Sequence, residues 1–293
     1  MSGPLAGLLA GIIIVLPGPG DPQPVSPQQS APIQQSAPVS DAGSVGNLVV
    51  LPDLGQTITG QPTQTSPTAT GVGLDLSGWK LTLPTGAKGK PTEVDSPRAD
   101  APADAHWFGQ TADHAVAFRA PVDGVTTSGS HYPRSELREM SGDGSSPASW
   151  SSTSGEHTMR VVEAFTHLPT GKSELVGAQI HDASHDITVF RLEGSDLYIT
   201  NDQNPHFKLV ASGYQLGTPF EAKYVVSAGQ VHAFYNGTEQ ATIPAPSLAG
   251  AYFKAGAYTQ ANCTNSSPCS DDNYGETLIY QLQVTHTAGK EAQ

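Results

Sequence analysis

Three short stretches carry reactive or charge-bearing side chains at every second position. In RSELR (134–138) these are Arg134, Glu136 and Arg138. In QIH (179–181) they are Gln179 and His181. In YFKAGAYTQ (252–260) they are Tyr252, Lys254, Tyr258 and Gln260, with Gly256 at the remaining position. Side chains on a strand alternate between its two faces. Each stretch therefore puts its polar groups on one face, while Leu137, Ile180, Phe253, Ala255 and Ala257 suit burial on the other. Taken singly, each face has an ordinary explanation. The first reads as a surface ion-pair ladder, the second as a solvated polar face, and the third as tyrosines favoured for strand propensity. Glu136 is expected to hold both flanking arginines while leaving them donors to spare. Gly256 costs stability in mid-strand and is expected where a ligand approaches the backbone.

Together the three faces supply two Arg, a Lys, two Gln, a His and two Tyr, which is the inventory for one chemistry. A uronate sugar carries a carboxylate on C5. Removing the C5 proton and expelling the oxygen at C4 cleaves a polyuronate chain by β-elimination. The carbanion becomes accessible only when the carboxylate charge is offset, as an Arg and an amide can do. A base must take the C5 proton and an acid must protonate the leaving oxygen. His181 and Tyr258 suit those roles, and no metal or organic cofactor is required.

The elements that must position these groups are strands. Helical periodicity is almost absent. Strand-type runs recur with turn signals between them, at 159–166, 174–182, 187–193, 196–201, 206–212, 222–244, 251–260 and 276–286. Asn236-Gly237 between two alternating runs marks a hairpin rather than a glycan acceptor. The pattern predicts an all-β protein, an antiparallel β-sandwich or jelly roll. The Ser/Gly-rich segment 141–157 is too long for a tight turn and is expected as a mobile loop over a groove.

Composition divides the chain of 293 residues. Residues 1–72 contain no Lys or Arg, three acids and 11 of the 24 prolines, and QQSAPIQQSAP (28–38) is an imperfect repeat. Such a segment buries too little apolar surface to offset its ordering entropy. Within it, Leu5–Leu16 is an apolar run with the length of a signal-peptide core and too short to span a bilayer as a helix. The expected organisation is a signal-like segment at 1–20, a disordered tether at 21–72 and a β-domain at 73–293. Cys263 and Cys269 are the two cysteines. Further Cys or a clustered His pair is lacking nearby, so a loop disulfide fits better than a metal site. Export follows: a secreted, single-chain protein without stable membrane insertion. The formal charge of −13 argues against a nucleic-acid partner. It sits awkwardly with an anionic substrate unless the few basic groups are gathered in one place.

The three motifs resemble those of the alginate lyases of polysaccharide lyase family 7: R-[ST]-E-L-R, Q-[IV]-H and Y-x-K-x-G-x-Y-x-Q. All three stand complete and in family order, and WKLTLP (79–84) is similar to the family's opening strand. The resemblance covers residues 73–286. It implies a jelly roll whose concave sheet holds the groove for an anionic polysaccharide, alginate. It implies that Arg134 and Gln179 neutralise the sugar carboxylate. His181 would share that task or act as base. Tyr258 would be the acid, or also the base on mannuronate. Arg138, Tyr252, Lys254 and Gln260 would line the groove. Isoleucine within Q-[IV]-H tends in the family to accompany action on guluronate-containing blocks. A lyase of another polyuronate such as glucuronan, and a non-catalytic carbohydrate-binding jelly roll, are the alternative readings.

Overall fold

A computed structural model describes residues 73–288. The signal-like segment and the tether expected at 1–20 and 21–72 lie outside the described residues. The described part is built of fifteen strands. These are β1 (Trp79–Ala87), β2 (Lys90–Asp95), β3 (Phe108–Gln110), β4 (Val116–Pro121), β5 (Arg134–Glu139), β6 (Glu156–His167), β7 (Glu174–His181) and β8 (Asp186–Glu193), followed by β9 (Asp196–Asn201), β10 (Asn204–Ala211), β11 (Phe220–Ser227), β12 (Gln230–Tyr235), β13 (Thr238–Pro244), β14 (Tyr252–Thr259) and β15 (Tyr274–Thr287). They pair antiparallel into two sheets, ordered β10-β9-β8-β7-β14-β5-β1-β2 and β13-β12-β11-β6-β15-β4-β3. The sheets form the sandwich that the alternation predicts.

The apolar halves of the alternating strands fill the space between the sheets. Leu81, Leu137, Ile180, Phe190 and Phe253 come from the eight-stranded sheet. Phe118, Met159, Val161, Phe165 and Tyr224 come from the seven-stranded one. This burial fixes which way every motif strand faces, because a one-residue slip would turn the whole apolar set outward.

Several local features differ from the expectation or add to it. The run at 222–244 makes three strands rather than one hairpin. Asn236 and Gly237 turn β12 into β13 with φ of 48° and 77°, and Ala228 and Gly229 make a second such turn with φ of 50° and 76°. Alanine pays a steric cost at positive φ, so composition offered no sign of the second turn. Strands β2, β3 and β4 were also not foreseen, since β3 has three residues, β2 is mostly exposed and β4 mostly buried, so none alternates cleanly.

The segment 141–157 is no free flap. Trp150 is buried, pairs with Ala251 across an isolated bridge and donates its indole N–H to Glu139 at 3.0 Å. Ser152 donates its hydroxyl to the Ala245 carbonyl at 2.5 Å. The segment is thus anchored into the core at its centre.

The fold itself requires a glycine at 256. It adopts φ of +142°, and a Cβ there would sit 2.6 Å from the Ser135 carbonyl oxygen and 3.2 Å from the Phe118 ring. The strand irregularity that it permits falls between Lys254 and Tyr258 in the pairing with β7.

Candidate active site

The three motif strands are neighbours in the order β7-β14-β5. Across β14 and β5, Tyr258 pairs with Arg134, Gly256 with Glu136 and Lys254 with Arg138. Across β14 and β7, Tyr252 pairs with His181 and Lys254 with Gln179. Directly paired residues share a sheet face. Burying Leu137, Ile180, Phe253 and Ala255 therefore turns Arg134, Glu136, Arg138, Gln179, His181, Tyr252, Lys254 and Tyr258 to the outer face of the eight-stranded sheet, while Ser135 and Thr259 face inward.

Glu136 is the centre of this face. It is fully buried. It accepts hydrogen bonds from Arg134 Nη1 at 3.1 Å, from Gln179 Nε2 and from Lys254 Nζ. Burial alone would push its carboxyl up, but Lys254 and Arg134 hold it below the ordinary carboxylate value. The sequence pattern pointed to Glu136 as a clamp for both arginines. The structure gives it Arg134 and, in place of Arg138, Lys254 and Gln179. Arg138 instead donates to the Glu139 carbonyl at 2.7 Å and lies over the Tyr252 ring at 3.9 Å. Lys254 is buried against Glu136. Burial, and then Arg134, lower its ammonium to about 8.

His181 and Tyr252 stack at 5.4 Å, with the Tyr252 hydroxyl 3.2 Å from Nδ1. His181 Nδ1 lies 2.5 Å from the Asp182 carbonyl oxygen. A carbonyl only accepts, so Nδ1 carries the proton and Nε2 presents a lone pair. Burial, reinforced by Lys254, pulls the imidazole below its ordinary value. The shift favours the neutral ring.

Arg134 lies over the Tyr258 ring, 3.9 Å from its centroid. The Tyr258 hydroxyl is 2.9 Å from Ser130 Oγ. Gln260 sits at the end of the cluster and donates to the Tyr258 carbonyl at 3.4 Å. A depression in the sheet face runs outward from here, lined by Gln179, Tyr258 and Gln260 and beyond them by Arg191, Asn201 and Asp202. Seven of the eight expected residues thus make one contiguous cluster, and Gln260 borders it. The motif face carries three cations, Arg134, Arg138 and Lys254, and one carboxylate, Glu136, so it is locally basic in a chain of net charge −13.

One residue of this site was read only in part, and one escaped sequence reasoning. Glu136 was legible only as an arginine clamp, although it is the one acid on the motif face. Ser130 lies in the Gly/Ser-rich approach to RSELR, and nothing local distinguishes it from a turn residue.

Cys263 and Cys269 are joined in a disulfide. Its loop braces the approach to β5, where Asn262 donates its amide to the His131 carbonyl at 3.0 Å. Among the described residues, no group of three or more His, Cys, Asp or Glu is arranged to hold a metal ion.

A sandwich with a basic, imidazole- and phenol-bearing face is the architecture of a polysaccharide lyase. The family model described as alginate lyase matches residues 74–286. A crystal structure of the alginate lyase from Corynebacterium sp. is 60% identical, with a TM-score of 0.70, covering 73% of this chain and 96% of that one. The alginate lyase AlgAT5 of polysaccharide lyase family 7 is 44% identical, with a TM-score of 0.67 and the same coverages of 73% and 96%. A variant of alginate lyase A1-II′, solved in complex with the substrate GGMG, is 28% identical with a TM-score of 0.62, covering 78% of this chain and 100% of that one. No curated protein matched. The chain belongs to the alginate lyase family, and its reaction is cleavage of a polyuronate by elimination.

Proposed function

We propose that the cluster around Glu136 performs the elimination on alginate with a fixed division of roles. The observation that carries this reading is the cross-strand register, which gathers Arg134, Gln179, His181 and Tyr258 on one face. Arg134 and Gln179, both held by Glu136, receive the sugar carboxylate and offset the charge that builds at C5. His181 Nε2 takes the C5 proton. The electron pair of that C–H bond becomes the C4=C5 double bond as the C4–O bond breaks. Tyr258 gives its proton to the departing oxygen, which stays with the neighbouring sugar as a new reducing end. Arg138, Tyr252, Lys254 and Gln260 support substrate and ring positions. Alginate complexes of a family member support the substrate class for this chain.

Guluronate-containing or mixed blocks are the preferred substrate in this reading. Ile180, in the middle of QIH, is fully buried and pairs with Phe253 beneath the site. It acts through packing under Gln179 and His181, where small displacements matter for proton transfer. The protein acts outside the cell as a single chain, in keeping with its disulfide.

The test is Tyr258→Phe, which keeps the ring and removes the hydroxyl. Formation of near-ultraviolet-absorbing unsaturated uronate should fall at least ~100-fold, with oligosaccharide binding retained. Undiminished turnover would remove Tyr258 from the acid's role, and a binding module would form no such product at all. Initial rates on polyguluronate and polymannuronate decide the preference, and a clear advantage for polymannuronate overturns it.

A further inference from the structure

We propose that Ser130 is a positioning residue of this site, one whose hydroxyl orients the Tyr258 O–H and stabilises the Tyr258 oxygen after it has given up its proton. The inference rests on the reading of Tyr258 as the acid. It starts from the hydrogen-bond inventory of one hydroxyl. Ser130 Oγ has a single proton and two lone pairs. It lies 3.1 Å from the Tyr132 carbonyl oxygen, 3.1 Å from the Tyr132 backbone N–H and 2.9 Å from the Tyr258 hydroxyl.

The backbone partners decide the resting arrangement. The carbonyl only accepts, so it takes the Ser130 proton, and the backbone N–H gives to one serine lone pair. The second lone pair is left to accept the Tyr258 O–H. In the resting enzyme Tyr258 is therefore oriented as a donor with its proton on the serine side.

During elimination the Tyr258 proton passes to the departing oxygen and a phenolate is left. Ser130 then turns its O–H from the Tyr132 carbonyl to the phenolate oxygen, a rotation about one single bond. No proton is lost or gained by Ser130, and the phenolate gains a donor at the moment its charge appears. Solvent later returns the proton to Tyr258. The interaction is stronger in the transition state than in the ground state, which is the condition for accelerating chemistry rather than binding.

The surroundings keep Ser130 within reach. Its own N–H donates to the Thr127 carbonyl at 3.1 Å. The next residue's carbonyl, that of His131, is held by Asn262, and the Tyr132 hydroxyl accepts from Lys172 Nζ at 3.2 Å. Arg134, over the face of the same Tyr258 ring, adds positive charge to the phenolate's surroundings from a second direction.

The test separates this role from that of an ordinary turn serine. Ser130→Ala should lower kcat on alginate by about 10- to 100-fold, with KM changed less than about twofold and the thermal midpoint kept. Ser130→Thr, which retains the hydroxyl, should recover most of the rate. Ser130→Cys, a weak donor of similar size, should fall with Ala, and it reports even if the alanine variant folds poorly. Wild-type kcat in the Ala and Cys variants overturns the proposal. So does a loss of kcat in all three variants that tracks a lowered thermal midpoint, the mark of a turn former. Tyr258→Phe, run alongside, distinguishes the two readings. An inactive Phe variant with a fully active Ser130→Ala variant refutes Ser130 alone, whereas an active Phe variant refutes the assignment of Tyr258 on which the proposal rests.

Discussion

Arg134 and Arg138 stand two residues apart on one face, yet they are set for different tasks. Arg134 is mostly buried, is held by Glu136 and covers the Tyr258 ring. In the proposed mechanism its charge is aimed where charge develops. Arg138 is tied to backbone carbonyls and to Tyr252, at the other end of the cluster from Tyr258. Arg134→Ala should lower kcat at least ~100-fold, whereas Arg138→Ala should raise KM with kcat nearly kept. Steady-state rates over a range of alginate concentrations check this, and equal effects on kcat would sink the division. Lys254 belongs with Arg134 in this scheme. Its loss leaves the buried Glu136 carboxylate short of a partner, and breaking a buried pair is strongly destabilising. Lys254→Ala should therefore lower the thermal midpoint as well as the rate, which differential scanning fluorimetry would register.

At the scale of elements, β7 owes its shape to the sheet behind it. Its pairing with β8 shifts register between Val176 and Gln179. The Ala178 peptide beside this bulge is held by core side chains of the opposite sheet. Its N–H donates to Glu163 at 3.3 Å, and its carbonyl accepts from the Tyr224 hydroxyl at 3.3 Å. Gly177 leaves room for the Glu163 carboxyl, which would lie 2.6 Å from an added Cβ. Burial pushes Glu163 up to about 8, with Tyr214 and Tyr224 its titratable neighbours. The folded protein thus keeps a proton that the unfolded chain sheds above the ordinary value of 4.5.

Stability from this group is complete below that ordinary value. It declines as pH rises toward about 8, by at most about 1.4 kcal/mol per pH unit. Glu163→Gln keeps an acceptor for Ala178 and removes the titration. Denaturant midpoints at pH 5 and pH 8 should differ less in the variant than in the parent. An unchanged difference would show that Glu163 does not titrate across that range.

For the whole molecule, the charge of −13 and the anionic substrate are reconciled by segregation. Three cations converge on the site, and much of the acid lies elsewhere. Alginate binding should therefore weaken as salt is added, because a local basic patch acts through a screened field. Salt-independent binding, measured by calorimetry, would contradict this. The folded unit is expected to be self-sufficient. The family match begins at residue 74 and β1 at Trp79. A protein shortened to begin near residue 70 should keep its thermal midpoint and cleave short oligosaccharides as the full chain does. Failure to fold would place part of the core upstream of that point.

The sequence by itself determined the faces. Alternation in RSELR, QIH and YFKAGAYTQ, with Leu137, Ile180 and Phe253 between the polar positions, fixes which side chains point together once a core exists. The chemistry was legible too, because few reactions call for two Arg, a Lys, an amide, an imidazole and a phenol on one surface. Partnership was not legible. Glu136 takes Lys254 and Gln179 rather than Arg138 because cross-strand register sets the partners. That register is chosen by how Phe253 and Ile180 fit the opposite sheet, not by any local pattern. Ser130 meets Tyr258 across 128 residues of chain, and Ala178 leans on Glu163 of the other sheet. The segment 141–157 reads as loose by composition, but Trp150 finds Glu139 and Phe253 and is anchored. Each of these outcomes joins groups distant in sequence. Such contacts form only once strands far apart in the chain have paired and the two sheets have packed, so tertiary structure alone decided them.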